Sequence, residues 1–155
     1  MSEIDTLYQT YQPFLFSIAY RMLGSVTDAE DAVQDLFLNF TPDLNQINGC
    51  GFCLDMHTKD ARAIGETEQR IYCLSAWRET PFYSEKERAV LELTEAVTAI
   101  SEDAVPDGVY ENVRTYFDET QYIDLVTMII TINGWNRLAL SAQLLPEDYE
   151  AQAVK

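Results

Sequence analysis

Basic side chains are scarce in this sequence. Its 155 residues contain 10 lysines and arginines against 26 aspartates and glutamates, which gives a formal net charge of −16. Proteins that bind nucleic acids draw most of their affinity from lysine and arginine contacts to phosphates. The charge therefore disfavours a nucleic-acid partner, and it disfavours an anionic membrane surface for the same reason.

Long hydrophobic runs are also absent. The longest apolar run, residues 125–132, includes two threonines and is far shorter than the ~20 residues that span a membrane. Residues 1–5 are acidic and are not followed by the basic and apolar segments of a secretory signal. We expect a cytoplasmic protein that has no membrane partner.

No stretch alternates apolar and polar residues with the period of two that is typical of strands. Apolar residues recur instead at spacings of three and four, which predicts amphipathic helices and an all-α fold. Two helices are expected before the Asn48-Gly49 turn, the second ending at Thr41-Pro42, and a third should begin at about Cys50. The helices expected after it cover residues 69–77, 85–100, 108–116 and 122–143.

Cysteine and histidine are rare, with three and one in the chain, yet two of the cysteines and the histidine fall within two helical turns. Residues three and four apart share a helix face, so Cys50, Cys53 and His57 form one stripe. A helix N-terminus lowers the pKa of a thiol, and an imidazole near Cys53 can take its proton or pair with the thiolate. The pattern predicts a redox-active dithiol in which Cys50 resolves a sulfenic acid on Cys53.

Two plainer interpretations of this motif remain open, an inert structural cysteine pair and a zinc site. A structural zinc site needs four ligands, and the sequence has no second cluster of cysteine and histidine because Cys73 stands alone. We expect no metal and no cofactor. Cys73 is predicted to be a small core residue without a redox role.

Several linked motifs resemble a known family. They are INGCGFCLDMHTKDARAI at residues 47–64, GETEQR at 65–70, SAWRETPF at 75–82, EAVT at 95–98 and INGWNRLA at 132–139. This series, covering about residues 46–142, resembles the CxxC branch of the carboxymuconolactone decarboxylase family, whose best-understood relative is alkyl hydroperoxidase D. The resemblance implies an alkyl hydroperoxidase D-like helical bundle that forms a homo-oligomer, a trimer or a hexamer, with its site near a subunit interface.

The same resemblance implies roles for three residues. Cys53 would be the peroxide-reactive thiol, Cys50 its partner, and His57 part of a proton relay. In the family this relay also uses a glutamate twelve residues before the first cysteine, and that position is Leu38 here. The acidic neighbours Asp35 and Asp43 lack the spacing, so the relay is either incomplete or rebuilt from another carboxylate.

A second resemblance lies in the first forty residues. Residues 11–37, YQPFLFSIAYRMLGSVTDAEDAVQDLF, resemble the start of region 2 of an extracytoplasmic-function sigma factor. The chain leaves that pattern near Phe40, before the residues that would read promoter DNA. We interpret this part as an N-terminal helical hairpin packed on the rest, and divide the chain into residues 1–45, a main domain over 46–145, and a tail at 146–155.

The sequence thus predicts a thiol-dependent peroxidase or disulfide reductase-like antioxidant protein. Its substrate would be a peroxide or a disulfide, and its electrons would come from a thiol donor protein or a small dithiol. The alternatives are a regulatory or redox-sensing module whose hairpin binds a protein partner such as RNA polymerase, and an inactive structural descendant. The motif at Trp135, Asn136 and Arg137 either lines a pocket or serves packing, with the polar side chains satisfying buried carbonyls.

Overall fold

The computed structural model describes residues 41–146 and 149–150. All regular elements within these ranges are helical, which confirms the prediction of an all-α fold. Residues 1–40 of the predicted hairpin, Leu38 among them, and residues 147–148 and 151–155 of the predicted tail lie outside the described residues. The division of the chain into three segments stays a prediction.

The described ranges contain six α-helices and one 3-10 helix. They are α1 (41–48), α2 (Gly51–Ala63), α3 (Glu68–Tyr72), the 3-10 helix (Leu74–Glu79), α4 (Glu85–Thr98), α5 (Asp107–Tyr116) and α6 (Glu119–Ser141). No helix of the described part is both long and apolar enough to cross a membrane.

Local capping signals set most of these boundaries. Gly49 takes the left-handed conformation (φ 68°) that a turn needs, and α2 begins directly after Cys50, as predicted. Ser84 is the N-cap residue of α4 and Asp118 that of α6, and each forms a capping box. These starts were predictable because each cap is made by residues within one turn of each other.

Two predicted boundaries were wrong. Thr41-Pro42 does not end a helix, since both residues are helical and the helix continues to residue 48. The helix predicted over residues 69–77 ends at Cys73 and continues as the 3-10 helix. In a 3-10 helix residues three apart eclipse, and this brings Leu74 and Trp77 to the same side, both buried.

The main core lies around α4, which packs against α5 and α6. Leu91 and Leu93 of α4 are fully buried there, and Leu125 and Ile129 of α6 face them in the same cluster. A smaller cluster of Cys50, Cys53 and Ala139 lies where α2 meets α6. The two clusters place the N-terminus of α2 against a long, rigid helix, and this fixes the position of the thiol pair.

Candidate functional site

The cysteine pair lies at the start of α2. Cys50 and Cys53 are joined by a disulfide, with their Cα atoms 5.3 Å apart. Cys50 is the N-cap residue, and the backbone N–H of Cys53 donates to its Sγ at 3.3 Å. The unpaired amides of the helix N-terminus therefore act most directly on the sulfur of Cys50, whereas the sequence had led us to expect their effect on Cys53.

The disulfide is covered by apolar side chains. Cys50 is 1% exposed and Cys53 is 3% exposed. Phe52 and Leu144 pack against them from the solvent side, and Ala139 of α6 completes the cluster. A reagent reaches the sulfurs only if some of this cover moves.

Leu144 reaches this position through a turn after α6. Gln143 has a φ of 55°, and the backbone N–H of Leu144 donates to the carbonyl of Ala139 at 3.0 Å. Farther along, the hydroxyl of Tyr149 lies 2.7 Å from Asp60 Oδ1 on α2. The segment that follows α6 is thus held at two points beside the cysteine helix.

His57 lies one turn after Cys53 on α2, and its ring contacts Asn45 of α1. Asn45 Nδ2 is 2.7 Å from His57 Nδ1 and donates to the carbonyl oxygen of Cys53 at 3.1 Å. Asn45 is 0% exposed, so its amide depends entirely on protein partners. The side chain of Asn45 therefore links the backbone at Cys53 to the imidazole of His57.

Asn45 is itself held by α6. Asn136, which is also fully buried, donates from Nδ2 to Asn45 Oδ1 at 2.8 Å. A parallel contact lies one turn away, where Asn48 Nδ2 donates to Asn133 Oδ1 at 2.9 Å. Two contacts between asparagine amides thus connect α1 to α6 beside the site. The two asparagines on each helix are three residues apart.

Burial keeps His57 neutral. Loss of hydration lowers its pKa to about 4 from the ordinary 6.5, and the carbonyl of Cys53, which favours the charged ring, offsets only part of this effect. Among the described residues no carboxylate contributes to this shift. In the described part of the chain the side chain that contacts Nδ1 is the amide of Asn45 and not a carboxylate.

Asp43, a candidate for that missing carboxylate, lies elsewhere. It is 2% exposed, and burial followed by the charge of Glu95 raises its pKa to about 7, although Arg78 acts in the opposite direction. Residues two apart on a helix point roughly 200° apart, so Asp43 faces away from the side of α1 that carries Asn45 to His57. Its buried Oδ2 has no hydrogen-bond partner in the described part of the chain.

The remaining candidate residues make packing contacts or hydrogen bonds to the backbone. Trp135 packs against the main core, and Arg137 donates from NH1 to the carbonyl of Asn133 at 3.0 Å. Asn136 also donates to the carbonyl of Ile132 at 2.9 Å, which is the role predicted for it. Cys73 is half-buried and carries a free thiol.

Asn45 is the site residue that the sequence analysis missed. The helix before the turn was expected to end at Thr41-Pro42, which left Asn45 in a connector with no assigned face. The equal spacing of Asn45 and Asn48 and of Asn133 and Asn136 was a signal that could have found it. Polar pairs at a spacing of three on two helices point to one shared contact line.

Two family models match different parts of this chain. Residues 44–96 match the model of the carboxymuconolactone decarboxylase family, and residues 7–46 match sigma-70 region 2. YdfG of Bacillus subtilis (strain 168), an uncharacterised protein, is 57% identical over 98 residues, which are 63% of this chain and 67% of YdfG. The uncharacterised YnjA of Escherichia coli (strain K12) is 21% identical over 118 residues, covering 76% of this chain and 64% of YnjA.

A solved structure from Agrobacterium tumefaciens has the same fold. It superposes with a TM-score of 0.75 at 33% identity and covers 92% of this chain and 97% of the other. That protein is of unknown function and has been suggested to be the antioxidant defence protein AhpD. The chain described here belongs to the carboxymuconolactone decarboxylase family and has an alkyl hydroperoxidase D-like fold.

Proposed function

We propose that this protein is a thiol-dependent peroxidase or disulfide reductase of the antioxidant type, and that Cys50 and Cys53 cycle between dithiol and disulfide. The observation that carries the proposal is the disulfide at the N-terminus of α2, one helical turn before a partly buried, neutral histidine. Membership of the family and the likeness to a suggested antioxidant defence protein support it.

In the oxidative half of the cycle the thiolate of Cys53 attacks one oxygen of a hydroperoxide. The S–O bond forms, the O–O bond breaks, and the alkoxide takes a proton to leave as an alcohol. The thiolate of Cys50 then attacks the sulfenic sulfur of Cys53, and hydroxide leaves as water after taking a proton. One dithiol and one peroxide thus give the disulfide, one alcohol and one water.

In the reductive half a thiol donor opens the disulfide. Attack on the sulfur of Cys53 expels Cys50 as a thiolate, and the hydrogen bond from the Cys53 N–H stabilises the charge on that sulfur. A better-stabilised leaving thiolate leaves faster. A second donor thiol then releases the donor as its own disulfide and restores both protein thiols.

A peroxide-consumption assay with a dithiol reductant tests the proposal. The parent protein should consume hydrogen peroxide or an organic hydroperoxide, and Cys53→Ser should abolish turnover. Cys73→Ser is the matched control, because it removes the free thiol outside the pair and should leave the rate unchanged. A parent protein that turns over neither a peroxide nor a disulfide, or a Cys53→Ser variant as active as the parent, would overturn the proposal.

We further propose that the protein acts as a homo-oligomer, a trimer or a hexamer. The side chains of Ile123, Ile130 and Leu138 lie exposed along α6, at 56%, 57% and 50%. Large apolar residues repeated along one helix are typical of an interface. Sedimentation should show a trimer or a hexamer and should show monomers for Ile130→Asp; a monomeric parent would refute this state.

The match to sigma-70 region 2 supports a second candidate function, a regulatory module that binds a protein partner such as RNA polymerase. Purified polymerase core would be the probe. Binding by the parent protein and loss of binding on deletion of residues 1–40 would favour this function, whereas equal retention by both would assign the contact to the main domain. Absence of binding would remove the candidate.

A further inference from the structure

We propose that Asn45 and Asn136 are positioning residues that hold His57 as the neutral imidazole with its proton on Nε2. The ring then serves the thiol pair as a hydrogen-bond donor and not as a base. The consequence for the thiols rests on the proposed function, whereas the position of the proton does not.

The orientation of the Asn136 amide follows from its neighbours. The carbonyl oxygen of Ile132 lies 2.9 Å from one atom of this amide and can only accept, so the amide atom facing it must be Nδ2. The same nitrogen lies 2.8 Å from the amide of Asn45, which therefore presents its oxygen, Oδ1. The other orientation would set two oxygens against each other at both contacts.

The nitrogen of Asn45 then faces two acceptors. Its Nδ2 lies 3.1 Å from the carbonyl oxygen of Cys53, which accepts one of the two amide hydrogens. The other hydrogen points to His57 Nδ1 at 2.7 Å. Nδ1 must therefore accept, and in a neutral imidazole the other nitrogen, Nε2, carries the proton.

Burial agrees with a neutral ring, and the carbonyl of Cys53, which favours the charged form, offsets only part of this effect. No charged side chain in the described part of the chain contributes to the pKa of His57. Protonation of Nδ1 would set its hydrogen against those of Asn45 Nδ2. This conflict and burial both disfavour the imidazolium.

The orientation is maintained at a cost. Asn136 Oδ1 is buried and has no hydrogen-bond partner in the described part of the chain. An unsatisfied buried oxygen destabilises a fold, because it has lost its hydrogen bonds to water. Packing alone would be served equally well by an apolar side chain, so the donated hydrogen bonds of Asn136 are the feature that explains an asparagine here.

The tautomer limits what His57 does in the proposed cycle. A ring in this form has no free lone pair to take a proton from a thiol, because Nδ1 accepts from Asn45 and Nε2 carries the proton. In the proposed cycle its Nε2–H group is the donor that stabilises the thiolate. The proton of the thiol passes to solvent, and the alkoxide formed from a peroxide takes its proton from solvent.

¹⁵N NMR tests the proposal directly, because His57 gives the only imidazole signals of the protein. Nδ1 should show the shift of an unprotonated nitrogen and Nε2 that of a protonated one at neutral pH. In Asn45→Asp the carboxylate should draw the proton to Nδ1 and raise the pKa of His57 from about 4 toward its ordinary value. Asn48→Asp, which changes the parallel amide pair, is the matched control and should leave the tautomer as in the parent.

A parent protein with its proton on Nδ1 would overturn the proposal, and this measurement needs no variant to fold. An Asn45→Asp variant that is folded and keeps the parent tautomer would overturn it as well. Asn136→Ala should give a mixture of tautomers, since the amide of Asn45 loses the donor that orients it. If no peroxide or disulfide is turned over while the tautomer is as stated, the proposed function fails and this inference stands.

Discussion

In the proposed cycle His57 stabilises the reactive thiolate by donating a hydrogen bond and not by carrying a positive charge. Its ring is partly buried, is uncharged at neutral pH because burial lowers its pKa to about 4, and contacts the amide of Asn45. A neutral donor needs no balancing carboxylate. A relay without a glutamate at the position of Leu38 is consistent with such a ring.

His57→Ala should slow alkylation of the reduced thiols by iodoacetamide at neutral pH. A hydrogen bond to a charged group contributes about 1.5–3 kcal/mol, which corresponds to roughly a 10- to 100-fold lower rate. The loss should disappear at high pH, where the thiols ionise without help. The measurement is the alkylation rate as a function of pH.

The shape of the parent profile is informative too. Any break near neutral pH belongs to the thiol, because the pKa of His57 lies at about 4, and His57→Ala should move that break to higher pH. Identical profiles for parent and variant would remove His57 from the mechanism. A His57 ring whose ¹⁵N signals titrate near pH 6.5 would contradict its neutral role.

At this scale the sequence predicted the residues that carry the chemistry but not those that orient them. Cys50, Cys53 and His57 were found because all three lie on one helix, where spacing alone brings side chains together. Asn45 and Asn136 are 91 residues apart in the chain, and their contact exists only after α1 packs on α6. No local pattern determines that packing.

The helix α2 and the segment after α6 together control access to the disulfide. The backbone N–H of Cys53 at the N-terminus of α2 donates to Cys50 Sγ, and Leu144 packs against the cysteine pair. Leu145, its neighbour, is 74% exposed and lies outside both apolar clusters. The two leucines therefore differ in burial but not in chemistry.

Leu144→Ala should make the disulfide easier to reach and speed its reduction by a water-soluble phosphine several-fold. Leu145→Ala should react at the parent rate and serves as the matched control. The release of thiols over time is the measurement. Equal rates for all three proteins would show that Leu144 does not limit access.

Element boundaries were predictable where a cap is local. The capping boxes at Ser84 and Asp118 and the Asn48-Gly49 turn gave three helix starts within about three residues. The break at Cys73 was missed because the core selects it: a 3-10 turn lets Leu74 and Trp77 both point inward. The contact of Leu144 with the cysteine pair was missed because it, too, depends on tertiary packing and not on a local pattern.

Titration of His57 and of Asp43 should change the stability of the whole molecule with pH in opposite directions. His57 has a lowered pKa in the folded state, so its contribution is present above pH 6.5 and is lost as pH falls through about 4. Asp43 has a raised pKa, so its contribution is present below pH 3.8 and is lost as pH rises through about 7. In the parent protein the two effects oppose each other between these limits.

Single variants should separate the two effects. The free energy of unfolding of each variant is compared with that of the parent as pH rises from 4 to 7. The difference should fall by about 3 kcal/mol for His57→Gln and rise by about 3 kcal/mol for Asp43→Asn. Urea denaturation at several pH values gives these differences, from which contributions of other groups cancel. A variant whose stability follows the parent curve in parallel would show that the replaced group does not titrate in this range.

The linked sequence motifs predicted the fold and the family, whereas the composition did not. The charge of −16 argued only against partners, and periodicity gave the all-α class. The linked motifs from INGC to INGWNR gave the alkyl hydroperoxidase D-like fold because they are the points where α1, α2 and α6 meet. Asn48 of the first motif contacts Asn133 of the last one across that junction.

A single-turnover mass measurement tests the central claim, that Cys50 and Cys53 form a working redox pair. Reduced protein treated with one equivalent of hydrogen peroxide should lose the mass of two hydrogens, and Cys50→Ser should instead gain one oxygen on Cys53 as a sulfenic acid. Trapping of that oxygen in Cys53→Ser would exchange the two roles. A parent protein whose thiols remain reduced under these conditions would contradict the account.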